Sequence, residues 1–374
     1  MATRRRRSSL EGVLDFPIPL SLTTQQHESA RNLVIRFVRH YGSEKTVRKG
    51  YRPAALIQAT LDYVKSPDTF MTFFLLYIYE VLRSDEGHTV DSDITHALEL
   101  EQINKLYEGL ESFAEYLIKN FLLPLRATSV KTPQPTPTSL LLLYSSTPTG
   151  QKYLIRDRHR CIVSRKFDRV AAVKRFEENP EFCTDNNGNL LKDKSSDQFQ
   201  YLEVAYILPY CLTTVASGKT DLICLVIGSD LKKNALRILD IFDPRIIHLI
   251  DRPKIDSPIN AFTLTLDYHR LFGEFKIYFE HTGIRHYPFL RDPLFPVTRS
   301  LTLSPHRTVD PPSPRLLDIH RAIALIIKLS GAGEYIERVL RDMEELDVRE
   351  DGSTHLGYLA GLLLGGWLDT LSVH

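Results

Sequence analysis

Between Gln25 and Arg126 apolar side chains recur at spacings of three and four, at Leu33, Val34, Phe37 and Val38 and again at Ala54, Leu56, Ile57, Leu61 and Val64. This spacing lines one face of a helix, and strand-like alternation is absent. Asp68 stands as a cap before the apolar run Thr69 to Leu82, which reads as a buried central helix. Asp93 opens a longer helix through Ala97, Leu100, Ile103, Leu106, Leu110 and Phe113. The expected result is about four helices over 25–127.

Residues 128–150 are rich in serine and threonine and hold Pro133, Pro135, Pro137 and Pro148, the composition of a linker, with an apolar patch at Leu140 to Tyr144 that could dock. From 151 to 287 the pattern turns mixed, with short β-branched and aromatic runs at Leu202 to Leu208, Ala261 to Leu266 and Phe275 to Glu280. Asp185-Asn186-Asn187-Gly188 reads as a loop tip. A proline-rich connection over 288–314 leads to a helix from Leu316 to Leu329, stopped by Ser330-Gly331-Ala332-Gly333, and then a polar helix to Glu345. Within the 315–374 tail, Leu356 to Leu368 is nearly all apolar, with glycines at 357, 361 and 365. It reads first as a helix packed on the protein's own core, and second as a self-association or partner helix.

The chain has 374 residues, enough for two or three units at roughly 100 to 200 residues each. Lys and Arg total 47 against 46 Asp and Glu, a net charge of +1 that excludes a histone-like binder, so a basic site must be local. No apolar run approaches the roughly 18 residues of a membrane span. Four cysteines, at 161, 183, 211 and 224, are too scattered for a disulfide framework and read as small core residues. Residues 1–24 form a basic tail with Arg4 to Arg7 and no apolar stretch behind them, which is unlike a secretory signal. The run reads as a solvated tail, then as a nuclear address, favouring nucleus over cytoplasm; Glu11 and Asp15 argue against a mitochondrial presequence.

Charge concentrates in one place. Lys152 to Arg175 holds nine basic residues against Asp157 and Asp168. Arg156, Arg158, Arg160, Arg165 and Lys166 are therefore candidate phosphate contacts, since nucleic acid is bound chiefly through such cations; the bland alternative is local ion pairs on a solvated face. No phosphate-binding loop, nucleophile elbow or HExxH zinc motif occurs.

Three motifs stand in order: Arg156-Asp157-Arg158-His159-Arg160-Cys161, then Leu202-Glu203-Val204-Ala205-Tyr206-Ile207-Leu208-Pro209-Tyr210, then Asn260 followed nine residues on by His269-Arg270-Leu271-Phe272-Gly273. Each alone is weak, because Asn260 could cap a turn and His269 could sit on a helix surface. Together they resemble the HNH nuclease domain, and more narrowly a group of fungal proteins in which that module precedes a helical tail, here Leu316 through Tyr335. The resemblance spans 151–345. It implies an α+β fold, a ββα-metal module flanked by the N-terminal helical domain and the C-terminal tail. It also implies strands near 202–208 and 261–266, and a short helix capped by Asp267, carrying His269 and ending at Gly273.

In that family the last His binds one divalent cation (Mg2+, Mn2+ or Zn2+), the Asn fixes the loop, and the first His takes a proton from water. These roles would fall to His269, to Asn260 and to the position held here by Tyr206. An imidazole with a pKa near 6.5 accepts a proton at neutral pH, whereas a phenol near 10 holds its own, which predicts a large loss of hydrolysis. A metal-stabilised tyrosinate, or His159, His248 or Glu203, is the remaining source of a base. Glu203 is three residues from Tyr206, an odd separation that places it on the other face of a strand. The resemblance thus implies either a metal-dependent endonuclease acting on nucleic acid, DNA first, or a pseudo-nuclease that binds nucleic acid or protein. A third reading places the function in the N-terminal helices.

Overall fold

In the computed structural model the described residues are 24–83, 103–129, 148–209, 212, 222–251, 254–280 and 308–344. The Arg4–Arg7 run, the Asp93 helix start, the Leu140–Tyr144 patch, Cys211 and the 356–368 segment lie outside them. The fold is mixed α and β, with two small sheets set among helices.

Helices α1 (Thr24–Tyr41), α2 (Pro53–Tyr63), α3 (Pro67–Arg83) and α4 (Ile103–Leu117) form where the three-and-four spacing predicts them. Proline opens α2 and α3, at a position where the absent N–H costs nothing. Asp68 lies inside the first turn of α3 and does not precede it, so it favours the positive helix end by charge. A π-helical turn, Ile118–Leu122, carries α4 into α5 (Leu123–Ser129). Thr128 and Ser129 are thus helical, both hydroxyls donating to Leu125 O, and the expected linker loses its first two residues.

The next stretch runs α6 (Pro148–Arg156), β1 (Phe167–Asp168), α7 (Arg169–Glu178), β2 (Phe199–Gln200) and β3 (Leu202–Tyr206). It continues with α8 (Leu222–Phe242), α9 (Ile247–Ile250), β4 (Ala261–Thr265) and α10 (Leu266–Gly273). β1 pairs β2 in parallel, and β3 pairs β4 antiparallel with Leu202 opposite Thr265 and Tyr206 opposite Ala261. Thr265, not Asp267, holds the N-cap position of α10, and Asp267 falls in the first turn. Phe275 to Glu280 is irregular and not a strand. Its alternate aromatics are spent on packing instead, with Phe279 5.3 Å from Phe262 and 5.8 Å from Phe272 between ring centroids.

Two helices close the described chain, α11 (Pro314–Ser330) and α12 (Ala332–Glu344). Of the two glycines at the expected stop, Gly331 does the work at φ 71°, a left-handed conformation that glycine adopts without strain. Gly333 already belongs to α12. One continuous cluster of buried apolar side chains joins α1–α5, the β3–β4–α10 unit, the end of α8 and α11–α12. At its seams Arg52 N donates to Ser330 O (2.8 Å) and Lys65 N to Phe242 O (2.8 Å). The buried Arg126 reaches Glu274 and Glu337, each at 3.6 Å. The segments that composition separates therefore bury their apolar faces against one another, because single amphipathic helices cannot bury them alone.

Candidate functional site

The β3–β4 ladder sets the geometry. Opposed residues share a face, so Glu203, Ala205, Phe262 and Leu264 lie on one side and Val204, Tyr206, Ala261 and Thr263 on the other. α10 covers the first side, with Phe262 and Phe272 ring centroids 5.0 Å apart. His269, one turn into α10 and buried, meets Glu203 there, with Nδ1 2.6 Å from Oε2. A carboxylate only accepts, so Nδ1 carries the proton, and in the neutral ring Nε2 holds the lone pair.

Tyr206 occupies the opposite side. Its phenol donates to Asp256 Oδ1 at 2.5 Å, and Tyr153 Oη donates to Asp256 O at 3.2 Å. Burial, followed by the Asp256 charge, pushes the Tyr153 phenol far above its ordinary range. A phenol donating to a carboxylate keeps its proton, so Tyr206 is placed as a donor and not as a base. The sheet divides the two candidate residues: the odd spacing correctly sets Glu203 apart from Tyr206, but the histidine goes with Glu203.

Asn260 clamps the turn between them. It is wholly buried and its amide is fully used: Nδ2 donates to Leu208 O (2.9 Å) and Ile255 O (3.0 Å), and Oδ1 accepts from Leu208 N (3.0 Å). Its side chain holds the chain after β3 against the turn before β4, which fixes where Tyr206 and Asp256 sit.

The basic segment is largely spent inside the protein. Arg156 is wholly buried and not a phosphate contact. Nε and Nη2 donate to Asp157 (2.7 and 3.0 Å), Nη1 to Pro258 O (2.6 Å) and Nη2 to Ala261 O (2.7 Å). Asp157 also accepts from Thr263 N and Oγ1 (2.8 and 2.9 Å), pinning α6 to the free edge of β4. Arg160 pairs with buried Asp185 (2.6 Å) and donates to Arg165 O. Burial would raise the Asp185 pKa, yet Lys194 and the backbone N–H groups of Asn187 and Asn189 hold it well below the usual carboxylate range. Arg158 donates to Asn187 Oδ1 (3.1 Å), while Arg165, at φ 65°, and Lys166 are half-buried in the turn before β1. His159 is a poor base, its pKa lowered to about 4 by burial and then by Arg175, and His248 is exposed on α9.

Among the described residues no three His, Cys, Asp or Glu side chains converge as a cation-holding set. His269 and Glu203 supply two donors that already bond each other, short of what a protein-held zinc site needs. No step is therefore routed through a cation. Sequence reasoning missed Asp256 and Asp157; the only signal for Asp157 was its place beside Arg156, and Asp256 had none.

A two-stranded antiparallel ladder followed directly by a helix bearing a histidine, with an asparagine clamping the preceding turn, is the arrangement of a ββα nuclease-like unit. Residues 181–280 match the model of the HNH endonuclease family, so the chain carries an HNH nuclease domain, of a type that acts on nucleic acid and whose members generally use a divalent metal. The match takes in Tyr206, Asn260 and His269 and leaves out both the 156–161 motif and the helices after 314. No curated protein and no solved structure matches the chain.

Proposed function

We propose that the HNH domain engages nucleic acid while its hydrolytic step is weak or lost, a nuclease scaffold serving as a binding module. The observation that carries this reading is Tyr206 donating to Asp256 on the sheet face opposite the His269–Glu203 pair. Hydrolysis of a phosphodiester needs a proton acceptor and a stabiliser of developing charge at one phosphate, and here the inherited positions are divided. DNA is the proposed polymer and the nucleus the proposed compartment.

The test is incubation of the purified chain with plasmid and with single-stranded DNA in Mg2+, Mn2+ or EDTA, comparing wild type, Tyr206→His and His269→Ala. The expected result is DNA binding without metal-dependent cleavage by the wild type. Cleavage by Tyr206→His alone would identify the tyrosine as the whole defect. Metal-dependent cleavage by the wild type, abolished in His269→Ala, overturns the reading in favour of an active endonuclease. That second reading draws on the 2.6 Å His269–Glu203 contact, in which a carboxylate orients an imidazole as in known acid–base pairs.

A further inference from the structure

Helix α7 has no buried residue, although Arg169, Ala172, Val173 and Phe176 fall on one stripe at spacings of three and four. Val173 is 52% and Phe176 55% exposed, and Phe182, on the turn that follows, is 71% exposed. Beneath the helix lies a satellite core of only Phe167, Cys183 and Leu191, too small to draw that stripe inward. A cleft of about 340 Å³ opens between α7 and the 191–199 segment, walled by Val173, Phe176, Leu191 and Phe199. Its charged lining residues, Arg169 and Lys192, are both exposed cations, and no carboxylate lines it. The Arg169 guanidinium stacks 5.7 Å above the ring of Tyr201.

An apolar, aromatic-walled cleft with two cations at its mouth suits a flat nucleobase and its flanking phosphates. Bases in a duplex are already stacked, so only unpaired ones can enter. An apolar peptide would fill the walls but leave both cations without charge partners unless it carried acids. Part of the cleft, from Cys183 through Leu191 and Lys192 to Phe199, lies within the HNH match. We infer that this groove binds single-stranded nucleic acid, with an unpaired base on Phe176 and Val173 and neighbouring phosphates at Arg169 and Lys192. The inference rests on the nucleic-acid reading above and adds the strand state and the surface.

The test is fluorescence anisotropy on the full chain with three labelled probes: an oligothymidylate of about 20 nucleotides, an abasic strand of equal length and charge, and a duplex. Stacking on one aromatic contributes enough that Phe176→Ala should weaken oligothymidylate binding about 5- to 150-fold, with duplex binding unchanged. The wild type should prefer oligothymidylate to the abasic strand. Arg169→Ala with Lys192→Ala should flatten the salt dependence by roughly one unit of slope. Because Phe176 is exposed, its loss leaves the fold intact, checked by far-UV circular dichroism. Equal binding of thymidylate and abasic strands, indifferent to Phe176→Ala, overturns the groove and leaves the nucleic-acid reading standing. Binding of no probe overturns both and turns the stripe over to a protein partner.

Discussion

Replacing Arg156 with methionine tests whether the basic segment is scaffold or contact surface. The side chain is wholly buried and donates to both Asp157 oxygens and to the carbonyls of Pro258, Ala261 and, at 3.3 Å, Asp310. Methionine fills most of the volume but leaves the Asp157 carboxylate buried without its counter-charge, still accepting from Thr263. Breaking a buried pair from one side costs about 3–5 kcal/mol, and the stranded carbonyls contribute within that range because the site relaxes as a unit. Urea denaturation followed by circular dichroism should show a loss of that size. Arg156→Met with Asp157→Asn should recover part of it, since no uncompensated charge then remains. Full stability in Arg156→Met, together with weaker oligonucleotide binding and a salt slope lower by about one, would refute the argument and make the guanidinium a phosphate contact after all.

Further outcomes follow from buried polar groups. His320 is buried between the rings of Phe272 and Phe275, with Nε2 on Phe272 O, and burial lowers its pKa to about 3. The unfolded chain binds this proton near pH 6.5, so the contribution is present above that value and is lost as pH falls from about 6.5 towards 3. The difference in stability between wild type and His320→Phe, measured across that window, should change by several kcal/mol, whereas parallel curves would disprove it. Asn260→Ala leaves Leu208 N and O and Ile255 O unpaired, and should cost on the order of 3 kcal/mol in thermal or urea unfolding. Asp185, held below its ordinary pKa, stabilises the fold above about pH 4 and stops doing so as pH falls further, so Asp185→Asn should lose stability at pH 7 and converge with wild type in acid.

The strands and the helix of the nuclease-like unit were legible because alternation and helix periodicity are local signals. β3 and β4 match the expected runs to within two residues, and α10 ends at Gly273 as expected. What failed is everything that depends on which surface meets which. Strand parity placed Glu203 and Tyr206 on opposite faces, but parity cannot say which face the next helix covers, and α10 covers the glutamate's. Counting charges in 152–175 could not show that Asp157 and Asp185 turn back to consume Arg156 and Arg160. The aromatic run 275–280 has strand composition without a neighbouring strand to pair with, so it packs as irregular chain around Phe262 and Phe272.

The shared core has a practical corollary for anyone wishing to isolate the nuclease-like unit. With Arg52 tied to the end of α11, Lys65 to the end of α8 and Arg126 to the turn after α10, the outer helices form part of the unit's own walls. A fragment cut at 151 would expose the apolar undersides of α8 and α10 to water and invite aggregation. Evolution within such a protein is correspondingly tethered: a change in α2 reaches the site through packing, so the flanks and the unit must drift together.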